Sequence, residues 1–194
     1  MILAIDSVLK AAAQRNLPVM AVDLGFSGAT RSCGVAATHD GETARPAAQR
    51  FGECVSTVIH FAHDHREIVL VIEAPLCAAF DERGNPAPRG DFERSPRARW
   101  WSLGAGAAMA LAAQHFLSTV HDAVPDGTVN LVEGFVVGAD SGDHGQVAAD
   151  LMLAFVGLSD SAWYVPPAKS KLVLDWVLRQ PGQPSPLILA PRYA

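Results

Sequence analysis

Val19-Met20-Ala21-Val22-Asp23 is an apolar run that ends on a single carboxylate, and it decides how the fold is interpreted. Two later runs of strand length repeat this pattern and end on Glu73 and Glu133. Runs that are apolar on both faces are typical of buried parallel strands. In open α/β sheets, ligands bind at the carboxyl ends of such strands. The repeated pattern therefore predicts an α/β domain with three carboxylates delivered to one edge of its sheet.

Three carboxylates at one sheet edge repel one another unless a positive charge lies between them. A divalent metal ion with oxygen ligands is the obvious candidate for that charge. The sequence therefore predicts a metal site before any comparison with a known family.

Composition limits the classes of protein to which this chain can belong. The chain has 194 residues, 49% of them hydrophobic and 18% charged, which suits one globular domain with a proper core. Its formal net charge of −5 argues against coating nucleic acid by bulk electrostatics, although a local basic strip is compatible with that charge. Three cysteines without metal-ligand spacing predict reduced thiols in a cytoplasmic protein.

Two segments require a check for targeting and for membrane insertion. Residues 1–16 carry Asp6 and Lys10 within an apolar stretch, which favours an N-terminal helix over a signal peptide. Residues 100–120 have no formal charge and approach the length of a bilayer span. Their Ala and Gly content gives little transfer free energy, so we expect a helix buried against the sheet and no membrane partner.

The predicted order of elements defines a mixed sheet with helices on both faces. Asp40-Gly41 marks a hairpin, and hydrophobic periodicity marks the helices. Three antiparallel hairpin strands are followed by two parallel strands, which makes a five-stranded sheet within a core of residues 17–157. Residues 158–194 are predicted to form a C-terminal extension that packs on this core. The predicted strands are 18–25, 30–38, 42–47, 67–74 and 128–137, the predicted helices are 49–63, 99–123 and 143–156, and a long loop spans 75–98.

Three motifs in this order resemble the RNase H-like fold. They are Ala21-Val22-Asp23-Leu24-Gly25, Val71-Ile72-Glu73-Ala74-Pro75-Leu76 and the apolar helical stretch 146–154 around Asp150. Within that fold, the chain is most similar to the RuvC-type branch and to a bacterial family of predicted RNase H-like nucleases. The resemblance implies a three-layer fold and metal-dependent hydrolysis of phosphodiester bonds by two divalent ions, Mg²⁺ or Mn²⁺.

The same resemblance assigns roles to individual carboxylates. Asp23 would bridge both metal ions, Glu73 would ligate one of them, and Asp150 would complete the set from the last helix. Glu133 is a fourth candidate catalytic residue, although Gly134-Phe135 departs from the family pattern that follows it. RuvC-type enzymes carry a second helical acid where this chain has Leu153 and Ala154, and that departure puts the second metal in doubt.

The loop before the second helix alternates basic and acidic residues. Arginine forks suit phosphate groups, so Arg89, Arg94 and Arg97 are candidate substrate-binding residues. The interleaved acids equally allow a salt-bridged loop. Ser27, in the short turn after the first strand, is a further candidate for contacting phosphate. At the start of the last helix, Asp143 is expected to be an N-cap, and His144 is an additional candidate for the site.

Three functions remain open at this stage. The leading one is a nuclease that acts on DNA or RNA with Mg²⁺ or Mn²⁺. The second is a non-catalytic binding or scaffold protein that has lost part of the metal site. The third is a relative of the actin-like ATPases, which normally need two such domains. The oligomeric state is open, a homodimer included.

Overall fold

The computed structural model describes residues 17–28, 30–40, 42–94, 102, 104–136, 143–157, 161–164, 171–172 and 188–191. The predicted helix at 1–16 lies outside these residues. The described strands are β1 Val19–Asp23, β2 Cys33–His39, β3 Glu42–Thr43, β4 Ala47–Gln49, β5 Glu67–Glu73, β6 Cys77–Phe80, β7 Pro86–Ala87, β8 Thr128–Gly134, β9 Ser161–Tyr164, β10 Lys171–Leu172 and β11 Ile188–Pro191. The described helices are α1 Phe51–Asp64, α2 Gly104–Ala123 and α3 His144–Phe155, with a short 3₁₀ turn at Asp91–Glu93.

The main sheet is mixed, as the sequence predicted, and its strands follow the order β3-β2-β1-β5-β8-β11-β9. β1 pairs with β2 in antiparallel orientation, whereas β1, β5 and β8 run parallel to one another. The α/β class and the mixed sheet are thus confirmed.

Three parts of the sheet differ from the prediction. The expected third strand is divided into β3 and β4, which both pair with β2. Pro46 lies between them and has no backbone N–H to donate to a ladder. The expected loop at 75–98 contains β6, β7 and the 3₁₀ turn. The C-terminal extension adds β11 and β9 to the main sheet, and β10 to a small sheet with β6 and β7.

The two faces of the central strands pack against different helices. Met20 and Val22 share a hydrophobic cluster with buried side chains of α1 and α2. Val19 and Ala21 belong instead to the cluster formed with α3. Because successive side chains of a strand point to opposite faces, this alternation assigns every position of the central strands to one helical layer.

Residues 104–120 of the uncharged segment considered for membrane insertion lie in α2, which packs on the sheet. Its buried positions are Gly106, Ala112, Ala113, Phe116, Leu117 and Val120. No helix in the described part of the chain has the length and apolar character that a bilayer crossing requires.

The first turn of α3 lies directly on the backbone of β2. A Cβ atom added to Gly34 would lie 1.7 Å from the carbonyl oxygen of His144. At the other end of the contact, a Cβ on Gly134 would lie 2.8 Å from a methyl group of Leu151. Gly34, Asp23, Glu73 and Gly134 are successive register partners on neighbouring strands. Helix α3 therefore crosses the ends of β2, β1, β5 and β8 along one row of residues.

We predict that Gly34→Ala lowers the free energy of unfolding by about 1–3 kcal/mol or more, the usual cost of overpacking. The added methyl group meets backbone atoms, which cannot rotate away as a side chain can. Urea unfolding followed by circular dichroism measures the change. Gly52→Ala is the matched control, since a Cβ there meets nothing within 4 Å and alanine favours a helix. Equal midpoints for wild type and Gly34→Ala would contradict the close approach.

Candidate functional site

Asp23 and Glu73 lie side by side at the carboxyl ends of two adjacent parallel strands. They are register partners in the β1–β5 ladder, so their Cα atoms are separated by one strand spacing, about 4.8 Å. The alternation along both strands directs both side chains to the α3 face. Asp23 is buried and Glu73 is half-buried. The structure thus brings together the first two carboxylates that the sequence singled out.

His144 at the start of α3 contacts Asp23 directly. Its Nδ1 lies 2.7 Å from Oδ2 of Asp23, and the imidazole side chain is 36% exposed. An ionised carboxylate accepts hydrogen bonds only, so Nδ1 of His144 is the donor in this hydrogen bond. The close approach to Gly34 fixes the His144 backbone, from which the imidazole reaches Asp23.

Asp143 and Asp150 occupy different places on α3. The Asp143 carboxylate accepts hydrogen bonds from the backbone N–H groups of Gly145 and Gln146, which confirms its expected role as the N-cap. Asp150 is half-buried, and its Oδ1 accepts a hydrogen bond of 2.8 Å from Nε2 of Gln146. It precedes Leu151, which packs on Gly134 at the far end of the row. Asp23 and His144 therefore lie toward one end of the helix crossing, and Asp150 lies toward the other end.

The predicted set of four carboxylates does not form one metal-binding cluster in this structure. Among the described residues, which include all four acids, no group of three or more His, Cys, Asp or Glu side chains is placed to hold a metal ion. The Asp23 and Glu73 pair remains as the arrangement with suitable donors. Mg²⁺ is often held by only one or two carboxylates together with water and substrate phosphates.

Glu133 lies on the other face of the sheet and takes part in a different arrangement. It pairs in register with Ile72, one position before Glu73, and its side chain therefore points toward the α1 and α2 layer. Its Oε2 accepts a 2.9 Å hydrogen bond from the backbone N–H of Leu76. The expectation that Glu133 joins Asp23 and Glu73 is corrected by this one-residue offset, which reverses the direction of a strand side chain.

Arg89 is the cationic partner of Glu133, and it is fully buried. Its Nη1 donates to Oε1 of Glu133. Its Nε donates to Oε1 of Glu93 at 2.8 Å, and its backbone N–H donates to the other oxygen of Glu93 at 2.7 Å. The guanidinium also lies about 6 Å from the ring centres of Phe92 and Phe135. Arg89 was expected to contact substrate phosphates, but its side chain has no exposed surface from which to do so.

This buried cluster connects three segments that are distant in sequence. Burial raises the pKa of Glu133, and the Arg89 cation partly offsets that effect. Burial and then the negative charge of Glu133 raise the pKa of the neighbouring Cys77 thiol to about 12. The alternating charges of the loop predicted a salt-bridged loop as readily as a strip of arginines that binds phosphate groups. The spacing of four residues between Arg89 and Glu93 is the sequence signal that favours the ion pair.

The other candidate substrate-binding residues occupy exposed or undescribed positions. Arg94 is exposed and lies 3.4 Å from the carboxylate of Asp91. Arg97 lies outside the described residues. Ser27 is half-buried in the turn after β1, where its hydroxyl accepts a hydrogen bond of 3.4 Å from the backbone N–H of Thr30.

Comparisons of the chain with protein-family models, with curated proteins and with solved structures found no match.

We predict that Arg89→Met lowers the free energy of unfolding by about 3–5 kcal/mol, because it leaves buried carboxylates without their cation. Chemical denaturation at neutral pH measures the loss. Arg94→Met removes an exposed arginine from the same loop and is expected to cost under about 1 kcal/mol. Similar losses for the two variants would contradict a structural role for the buried pair.

The destabilisation by Arg89→Met should also depend on pH. Without the Arg89 cation, burial raises the pKa of Glu133 further above its ordinary value of 4.5. The folded variant then binds a proton that the unfolded chain has released. Its stability therefore falls as pH rises from about 4.5 through the folded-state pKa. Unfolding curves across this range should show a larger gap between wild type and variant at neutral than at acidic pH, and a constant gap would contradict the raised pKa.

Proposed function

We propose that this protein is a metal-dependent nuclease of the RNase H-like type, with its site at Asp23 and Glu73. The observation that carries the proposal is the pairing of these two carboxylates on one face, at the carboxyl ends of adjacent parallel strands. Ligands of open α/β sheets bind at this edge. Two carboxylates separated by one strand spacing are a suitable anchor for a hard divalent cation.

The topology supports the RNase H-like part of the proposal. The path β3-β2-β1-β5-β8 has antiparallel pairing on one side of β1 and parallel pairing on the other. Helices α1 and α2 cover one face, and α3 covers the other. This layering supports the three-layer fold that the resemblance implies, and β11 and β9 extend the sheet beyond β8.

The chain's own residues have separable tasks in this proposal. Asp23 and Glu73 would hold Mg²⁺ or Mn²⁺, which when bound supplies a polarised water and stabilises charge on phosphate oxygens. Asp23 also orients the imidazole of His144 through Nδ1. The second ring nitrogen, Nε2, is then suited to exchanging a proton with water or substrate at the site. Asp150 and Glu133 have no task in this arrangement.

A non-catalytic binding protein with an incomplete metal site is the second candidate. It is favoured by the finding that the described acids and histidines form no group of three or more suited to a metal ion. Such a protein would bind nucleic acid and leave it intact. Both candidates therefore predict binding of nucleic acid, and only the nuclease predicts its cleavage.

We expect wild-type protein to bind Mn²⁺ and the Asp23→Asn variant to bind it at least about tenfold more weakly, since one anionic ligand is lost. Isothermal titration calorimetry measures both. Asp126→Asn, at an exposed turn on the opposite edge of the sheet, is the matched control and should bind as wild type does. Equal affinities of wild type and Asp23→Asn for Mn²⁺ would exclude a metal site at Asp23.

Catalysis is tested by incubating single-stranded, duplex, hybrid and branched nucleic acids with the protein in Mg²⁺ or Mn²⁺. The nuclease proposal predicts cleavage by wild type and by Asp126→Asn, and a loss of at least about a hundredfold in Asp23→Asn and Glu73→Gln. Binding without cleavage of any substrate would favour the non-catalytic candidate.

A further inference from the structure

An exposed aromatic side chain lies on the turn that follows Asp23. Phe26 comes three residues after Asp23, and 60% of its surface is exposed. Exposed single apolar residues are common on proteins. Phe26 differs from such residues because its turn is fixed to the sheet and its ring packs on the ring of Phe51.

The turn is anchored through Gly25. A Cβ on Gly25 would lie 2.0 Å from the backbone oxygen of Ser32. Only glycine therefore allows the segments at Gly25 and Ser32 to approach this closely. The thiol of buried Cys33 donates a hydrogen bond of 3.1 Å to the carbonyl of Gly25. Cys33 and Cys54 of α1 belong to the same buried cluster. The turn is thus tied to both β2 and α1, which presents Phe26 at a defined position.

The Phe26 ring is the outer member of an aromatic column. It contacts Phe51 edge to face, with 5.5 Å between ring centres and 75° between planes. Phe51 stacks parallel to His115 at 6.0 Å and meets the fully buried Phe116 edge to face at 6.1 Å. Three of these rings are anchored on α1 and α2, so the orientation of Phe26 is supported from the core outward.

The column begins at the same sheet edge as the candidate site. Gln49 of β4 pairs with Cys33, so α1 starts at the carboxyl end of β1. Phe26 packs on α1, whereas Asp23 faces α3. A ligand that crosses this edge would therefore meet the Asp23 carboxylate on one side and the Phe26 ring on the other.

The charges around Phe26 suit a polyanion. Arg31 lies in the same turn region, and Arg50 immediately precedes Phe51; both are exposed. Glu53 is the nearby acid, and its carboxylate accepts the backbone N–H of Arg50 at 2.9 Å. Phe26 thus has two guanidinium groups and one exposed carboxylate in the segments next to it, while the Asp23 and Glu73 carboxylates of the same edge face α3 on the other side of the sheet.

We propose that an unpaired base of a single-stranded nucleic acid stacks on Phe26 while the strand crosses the carboxyl edge toward Asp23. This inference rests on the proposed function and restricts its substrate to single-stranded segments. Base stacking on an exposed aromatic ring requires a base outside a duplex and tolerates any sequence. The arginines bind the backbone on either side of the stacked base.

Fluorescence anisotropy with a fluorescein-labelled oligothymidylate in EDTA tests the proposal without cleavage. We expect wild type to bind this strand more tightly than a fully paired duplex, and Phe26→Ala to weaken binding by about tenfold, the usual effect of losing one stacked base. Phe26→Trp should retain the affinity. Val156→Ala, which removes an exposed apolar side chain at the end of α3, is the matched control and should bind as wild type does.

The inference is overturned if Phe26→Ala binds the single strand as wild type does, or if wild type prefers the duplex. It is also overturned if wild type is a dimer in sedimentation and Phe26→Ala is a monomer, since a second copy would then cover the ring. Cleavage with unchanged binding in Phe26→Ala would leave the nuclease proposal in place. Binding through Phe26 without cleavage would support the stacking site and contradict the nuclease.

Discussion

The approach of α3 to the strand ends is the constraint on which the candidate site depends. Helix α3 crosses the row that contains Asp23 and Glu73 between Gly34, where its backbone leaves no room for a Cβ atom, and Gly134, on which a methyl group of Leu151 packs. This crossing places His144 on Asp23 and partly covers both carboxylates. The geometry of the site is therefore set as much by two missing side chains as by the acids themselves.

The opposite face of the sheet uses its strand-end acid for structure. Glu133 receives Arg89, which is fully buried, and the pair fixes the segment after β5 to the end of β8. A buried cation between carboxylates is costly to desolvate, and it stays stable only when its hydrogen bonds are made. The same sheet edge thus carries the Asp23 and Glu73 carboxylates on one face and the structural Glu133 carboxylate on the other.

The sequence predicted the central strands, the three described helices and the edge at which the acids meet, because apolar runs and helical periodicity are local signals. It did not predict which face Glu133 takes. That face depends on a register in which Glu133 pairs with Ile72 and Glu73 pairs with Gly134, and register is a relation between strands. Arg89 was assigned to substrate binding for a similar reason, since its partner Glu133 lies 44 residues further along the chain. The alternative of a salt-bridged loop was nevertheless visible in its charge pattern.

The C-terminal strands cover the carboxyl end of β8, so that this part of β8 is no longer an edge of the sheet. In a five-stranded domain that ended after α3, β8 would be an edge strand with unpaired backbone groups. Here β11 pairs with its carboxyl end in parallel orientation, the N–H of Phe135 donates to the carbonyl of Leu189, and buried Leu189 adds to the α3 layer. Exposed apolar edge strands promote pairing between molecules. The extension thus covers part of the β8 edge, which could otherwise pair with a strand of another molecule. A chain truncated after α3 would be open to such strand addition beside the candidate site.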